Sequence, residues 1–242
     1  MTKRVLLGML TPSSNTVLEP VTQAMIANLP EVSAHFSRFK VTEIALSDTA
    51  LKQFDNTGIL RAAELLAHAN VDVISWNGTS SGWLGFEADE RLCEQITAAT
   101  GIPTNTSMLA LNEILAAKNV KTLGYVSPYL DDVQARIVAN YEKLGYQCLG
   151  DCHLGLRDNF SFSEVSAEQL TAMVDMVATG KPEAIAVICT NLRGAPLVEE
   201  LESRTGIPVY DTIATSVWKS LKMAGVDTRR VTGWGSLFRD VF

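Results

Sequence analysis

The sequence predicts an α/β protein made of two pseudo-symmetric halves, each with a parallel sheet, facing one another across a cleft. Three internal matches carry this reading. Asp72-Val-Ile-Ser-Trp-Asn-Gly78-Thr79-Ser80 resembles Glu183-Ala-Ile-Ala-Val-Ile-Cys189-Thr190-Asn191, and setting Gly78 against Cys189 gives an offset of 189 − 78 = 111 residues. Leu7 to Pro12 resembles Leu123 to Pro128 at an offset of 116, and Leu92 to Pro103 resembles Leu197 to Pro208 at 105. Matches in one order at similar spacing mark an internal repeat. Each repeated unit is a short β-branched run that stops at small polar residues, the pattern of a buried parallel strand delivering a loop at its carboxyl end. Open α/β sheets bind ligands at that end. Two Rossmann-like halves are therefore expected, residues 1–105 plus 213–242 and residues 106–212, with the active site in the cleft between them.

Composition narrows the function classes. The chain has 242 residues, 47% hydrophobic and 19% charged, which is ordinary for a globular protein with real cores. Its formal net charge of −7, without a Lys/Arg-rich run, argues against nucleic acid or an anionic membrane as partner. No apolar run approaches the roughly 18 residues of a membrane span, and the N-terminus lacks a signal-peptide pattern. A cytoplasmic enzyme or binding protein for a small molecule is expected, and a homo-oligomer is compatible with the sequence.

The elements follow in order. Val5 to Leu10 reads as the first strand, followed by the loop Thr11-Pro-Ser-Ser-Asn15-Thr16 and a helix over 17–28. Asn15 is either a helix cap or a donor to a carboxylate. His35 to Ile44 reads as a strand, 45–49 as a loop and Gly58 to Ala69 as an amphipathic helix. Val71 to Trp76 is a buried strand ending in Asn77-Gly78-Thr79-Ser80-Ser81-Gly82. The two glycines there permit positive φ or close backbone approach, and the hydroxyls of Thr79 and Ser80 either make a plain turn or converge on an anion. Helices are expected over 88–99 and 107–117.

In the second half, Val120 to Val126 is a strand and Ser127 to Asp132 its loop, from which Tyr129 either reaches into the cleft or packs on the helix 133–144. Tyr146 to Leu154 is a strand, and Asn159 in its exit loop reads as a turn residue. A helix over 167–178 precedes the strand Ala184 to Ile188, which delivers Cys189 to its terminal loop. That cysteine is either a small buried hydrophobe or a reactive thiol. A helix over 196–204, a short strand Val209 to Asp211, a helix over 213–223 and a turn over 233–238 complete the chain. The last long helix is expected to return to the first half.

Known chemical motifs are missing. His35, His68 and His153 form no recognisable arrangement with a serine or cysteine, so a Ser/His/Asp or Cys/His triad is not expected. GxGxxG, Walker-type and HExxH motifs are absent, and Cys148, Cys152 and His153 lack a second cluster to complete a tetrahedral metal site. The sequence calls for no cofactor.

At the strand-end loops the chain resembles the aspartate/glutamate racemase superfamily, in its branch of arylmalonate decarboxylase and the maleate cis-trans isomerases. Thr11 to Thr16 is similar to the first loop of the isomerases, which implies that Asn15 holds a substrate carboxylate. Gly78-Thr79-Ser80 and Tyr129-Leu-Asp-Asp-Val-Gln-Ala-Arg136 are more similar to the decarboxylase, implying a dioxyanion hole. Cys189 stands where both groups keep their second cysteine, and Asn159 matches a substrate-contacting asparagine of the isomerases. The departure lies at Gly78, where racemases and isomerases carry the first of two cysteines.

The resemblance implies a cofactor-independent enzyme acting on a small dicarboxylate through an enediolate. Cys189 would be the general acid, Thr79, Ser80, Tyr129 and Thr190 would hold the enediolate, and Asn15 and Asn159 the other carboxylate. One thiol suits protonation of a single face after loss of carbon dioxide, so decarboxylation of a malonate-like acid is favoured over maleate-type isomerisation or Asp/Glu-type racemisation. A dicarboxylate-binding protein without turnover is the other class.

Overall fold

The computed structural model describes residues 4–44, 46 and 56–241. Apart from Leu46, the loop expected over 45–49 lies outside the described residues. Two four-stranded, fully parallel sheets organise the chain. The first holds β1 (Val5–Pro12), β2 (Val32–Phe39), β3 (Val73–Trp76) and β4 (Thr104–Thr106) in the order β2-β1-β3-β4. The second holds β5 (Thr122–Ser127), β6 (Gln147–His153), β7 (Ala184–Val187) and β8 (Val209–Asp211) in the order β6-β5-β7-β8. The two orders are the same topology repeated, which is the tertiary form of the sequence repeat.

The central strands are apolar because both of their faces are covered. Every residue of β3 and β7 is buried. The helices that cover them are α1 (Leu18–Met25), α2 (Asn56–Ala67), α3 (Ser81–Leu84), α4 (Glu87–Thr100), α5 (Ser107–Ala117), α6 (Asp131–Lys143), α7 (Ala167–Ala178), α8 (Val198–Thr205), α9 (Thr212–Met223) and α10 (Ser236–Asp240). Strand order reverses between β1 and β3, and again between β5 and β7, so the loops leaving these four strands open at switch points where parallel sheets take ligands.

Several elements differ from expectation, beginning with the loop expected to run to Gly82, which turns at Ser81 into the short helix α3. β2 runs from Val32 rather than His35 and ends at Phe39, since beyond it the chain leaves the sheet to build the cleft wall. β4 is a strand the sequence did not suggest; Thr104-Asn-Thr106 has no apolar run and is strand only by pairing with β3. The helix expected from Pro196 begins as a single 3-10 turn, Ala195–Leu197, before α8. The expected turn over 233–238 contains α10, which buries Leu237 and Phe238.

Helix α9 is the keystone below the cleft. Asp211 caps it, its Oδ1 accepting from the N–H groups of Ile213 at 2.8 Å and Ala214 at 3.4 Å. It follows the last strand of the second sheet yet bonds to the first: Ser216 Oγ lies 2.6 Å from Ser75 Oγ and donates to Asn77 Oδ1 at 2.5 Å. Asn105 Nδ2 reaches Ser220 Oγ at 3.4 Å. Further along, the fully buried indole of Trp218 donates to Val241 O at 3.1 Å and ties down the end of the chain.

Candidate active site

Five strand-end loops and the end of β1 meet in one narrow cleft of about 300 Å³, counting its mouth. One wall is polar. The loop after β3 brings Gly78, Thr79 and Ser80, the loop after β5 brings Tyr129, the loop after β6 brings Asn159, and the loop after β7 brings Cys189 and Thr190. The rest of the lining is apolar: Pro12, Val41, Ile44, Trp76 and Trp83. No Lys, Arg or His is among the described residues that line the cleft, and the polar groups they offer to an anion are neutral dipoles.

Cys189 sits directly beyond β7 and is 3% exposed. Its N–H donates to Thr212 Oγ1 at 3.1 Å, which anchors the loop to the start of α9. The sulfur accepts from the N–H of Asn191 at 3.3 Å and is hydrogen-bonded by the Tyr129 hydroxyl. Burial pushes the thiol up to about 12, and the nearby Asp211 carboxyl adds to the rise, while the Asn191 N–H, Tyr129 and the Leu192 N–H oppose it. At neutral pH this group is a thiol, able to donate a proton and poorly able to attack as a thiolate. Alkylation by iodoacetamide at pH 7, followed by peptide mapping, is therefore expected to be at least a hundredfold slower at Cys189 than at a free cysteine of pKa about 8.5. The rate should climb about tenfold per pH unit up to pH 10; a plateau below pH 8 would contradict the buried-thiol assignment.

Tyr129 and Thr79 form a pair. Their hydroxyl oxygens are 2.6 Å apart across the cleft, one from each sheet. Desolvation raises Tyr129 well above the ordinary phenol range, so it remains a neutral donor. Its ring is held edge-on by Trp83, centroids 5.2 Å apart, and by Phe162 at 5.6 Å. Behind Thr79 and Ser80 the chain turns into α3, held there by Ser81 Oγ donating to Asp89 Oδ2 at 2.7 Å and by Asn140 Nδ2 donating to Gly82 O at 2.9 Å. Burial raises the Asp89 carboxyl to about 6, against hydrogen bonds from Thr106 and Ser81 that lower it.

The loops of the two sheets also clasp directly. Asn159 is placed by a bridge in which its N–H donates to Thr42 O at 3.1 Å and the Ile44 N–H donates to Arg157 O at 3.0 Å. Asn159 Nδ2 donates to Ser14 Oγ at 2.7 Å, and Ser14 Oγ donates to Val41 O at 2.6 Å. Asn191 is a buried cross-link of the cleft loops that sequence reasoning passed over. Besides its N–H to the sulfur, its Nδ2 donates to Asn159 O at 2.6 Å and its Oδ1 accepts from the Thr16 N–H at 3.0 Å, which joins three loops. The signal was present as the polar residue two places after Cys189.

Two of the expected site residues turn inward. Asn15 stands behind the cleft: its Oδ1 caps the start of α1 through the N–H groups of Val17 and Leu18, both at 2.9 Å, and its Nδ2 donates to Thr190 O at 3.0 Å and Oγ1 at 3.1 Å. The Thr190 hydroxyl spends its hydrogen on Asn77 O at 2.8 Å. Both residues cross-link the halves.

Gly78 is explained by packing, not by backbone conformation. Neither Gly78 nor Gly82 has a positive φ. A Cβ added at Gly78 would lie 1.8 Å from Cζ2 and 2.3 Å from Cε2 of Trp76, so the indole already fills the place of a side chain. The Gly78 carbonyl accepts from Ser107 Oγ at 2.8 Å, which fixes the backbone beneath the ring.

With this geometry in view, the comparisons with known proteins are consistent with one another. Maleate isomerase of Pseudomonas putida is 26% identical over the full length of both chains. Arylmalonate decarboxylase of Bordetella bronchiseptica is 26% identical over 73% of this chain and 75% of its own. The crystal structure of the maleate isomerase from Pseudomonas putida S16 shares the fold, with a TM-score of 0.89 at 23% identity over 99% of this chain and 100% of the other. A family model described as arylmalonate decarboxylase matches residues 14–238, nearly the whole chain, and the protein is an enzyme that belongs to this family.

Proposed function

We propose that the protein decarboxylates a small malonate-like dicarboxylate without a cofactor, using Cys189 as the group that protonates the α-carbon. The observation that carries this reading is the asymmetry of the site: a protonated thiol with hydroxyl donors on one wall, and an indole where a second cysteine would have to stand. The bond between the α-carbon and one carboxylate breaks, carbon dioxide leaves, and the electron pair forms an enediolate with the remaining carboxylate. The Tyr129 and Thr79 hydroxyls, with Ser80, stabilise that charge; one such donor is typically worth about 3 to 4 kcal/mol. Cys189 then gives its proton to the α-carbon, and the thiolate left behind is held by the Asn191 N–H until solvent reprotonates it.

The departing carboxylate fits against the apolar lining, where it loses hydration and, among the described residues, meets no cation that would stabilise the ground state. Asn159, which the cleft exposes beside this lining, orients the dicarboxylate.

Maleate-type isomerisation is the second reading, favoured by relatives that carry that name over the full chain length. It needs Cys189 to add to a carbon–carbon double bond as a thiolate, which burial opposes. Incubating the metal-free protein with substituted malonates and with maleate in deuterium oxide separates the two. The expected result is a monocarboxylate bearing one deuteron of single configuration; fumarate from maleate, with the malonates untouched, would replace decarboxylation by isomerisation.

A further inference from the structure

The Trp76 side chain touches the cleft from a fixed position. Its backbone is paired on both sides, to Leu10 of β1 and Thr106 of β4, and its ring packs on Phe39 with centroids 5.0 Å apart at 49°. The residue is 1% exposed, and its benzo edge lies against Gly78 where both residues line the cleft. A buried ring packed between Phe39 and Gly78 on a backbone paired on both sides cannot swing aside at low cost when a ligand enters.

From this juxtaposition we infer that Trp76 is the specificity-determining residue for the substituent on the α-carbon, and that the site takes dicarboxylates with short aliphatic substituents and rejects aryl ones. The inference rests on the proposed dicarboxylate reading and deepens it. Once the two carboxylates occupy the hydroxyl wall and the Asn159 side, the α-substituent is left to face Trp76, Ile44 and Val41. The indole occupies volume that an aromatic substituent would need, whereas a methyl or ethyl group fits against its face. Removing bulk at position 76 should open that volume and leave the carboxylate contacts in place, since Thr79, Tyr129 and Asn159 are held by bonds that do not involve the indole.

The test is a binding experiment that does not depend on turnover. Affinities of the unreactive analogues 2-methylsuccinate and 2-phenylsuccinate are measured by calorimetry for the wild-type protein, Trp76→Leu and the milder Trp76→Phe. The wild type is expected to prefer the methyl compound by about tenfold or more, the range that a pocket of fixed size gives for one excess group. Trp76→Leu should cancel or invert that preference, chiefly through tighter phenylsuccinate binding. Equal affinity of the wild type for both compounds overturns the inference without any variant. A preference that persists unchanged in a folded Trp76 variant overturns it as well. Absence of binding by either compound, and by malonate and maleate themselves, to the wild type instead overturns the dicarboxylate reading on which it rests.

Discussion

Replacing Cys189 by alanine is expected to lower kcat by about 10³, close to 4 kcal/mol of transition-state stabilisation, while leaving the fold and dicarboxylate binding nearly intact. The size follows from the role assigned to the thiol. An acid that delivers its proton only as the enediolate collapses contributes to the transition state and little to the ground state, so its loss falls on kcat and not on KM. The side chain is small and buried, and its backbone N–H to Thr212 survives the change, which limits the cost in stability. Cys189→Ser should fall between the two, since an alcohol donates less readily and its oxygen sits nearer the backbone than sulfur. Steady-state kinetics beside a thermal melt check this. A variant that keeps activity within threefold would remove Cys189 from the mechanism, and one that melts early would make it a core residue only.

The largest effect on stability is expected at Gly78. Gly78→Ala places a methyl 1.8 Å from the Trp76 ring, so the indole or the β3 loop must move. Overpacking of this kind costs about 3 kcal/mol. In a chain of this size that lowers Tm by about 6 to 12 °C. The cost should fall to about 1 kcal/mol when measured in a Trp76→Leu background, giving a coupling energy of about 2 kcal/mol in a double-mutant cycle. Gly58→Ala is the control. That glycine lies within helix α2, where among the described residues the nearest neighbour to an added Cβ is Phe39 at 3.9 Å, so alanine there is expected to be neutral or stabilising by up to about 1 kcal/mol. Additive effects of the changes at 78 and 76 would show that the two side chains do not compete for one space. Gly78→Cys should behave as alanine or worse, so a second catalytic thiol cannot be seated here while Trp76 remains.

These expectations mark where reading the chain and seeing the fold part company. The strand-end polar residues were legible because the pattern is local: an apolar run buried on both faces must end where small polar residues begin, and the ligand edge of a parallel sheet lies there. Gly78, Thr79, Ser80, Tyr129, Asn159, Cys189 and Thr190 were all found by that rule together with the family resemblance, and all line the cleft. Asn15 obeys the same rule yet turns back to cap α1 and brace Thr190, because a side chain at a helix start has two sets of partners and local pattern does not choose between them. β4 escaped notice for the converse reason, its strand character coming only from its neighbour β3.

The apolar wall was illegible altogether. Trp76, Trp83, Val41 and Ile44 are core by burial, and what makes them a wall is that each also borders the cleft. The sequence by itself determined the repeated parallel sheets, the position of the cleft and the single thiol within it, because strand periodicity and turn chemistry act over a few residues. Only the tertiary structure decided that the thiol is held protonated, that Asn191 ties three loops beneath it, and that an indole fills the room above Gly78, because burial and steric exclusion are properties of segments that meet in space and not of neighbours in sequence.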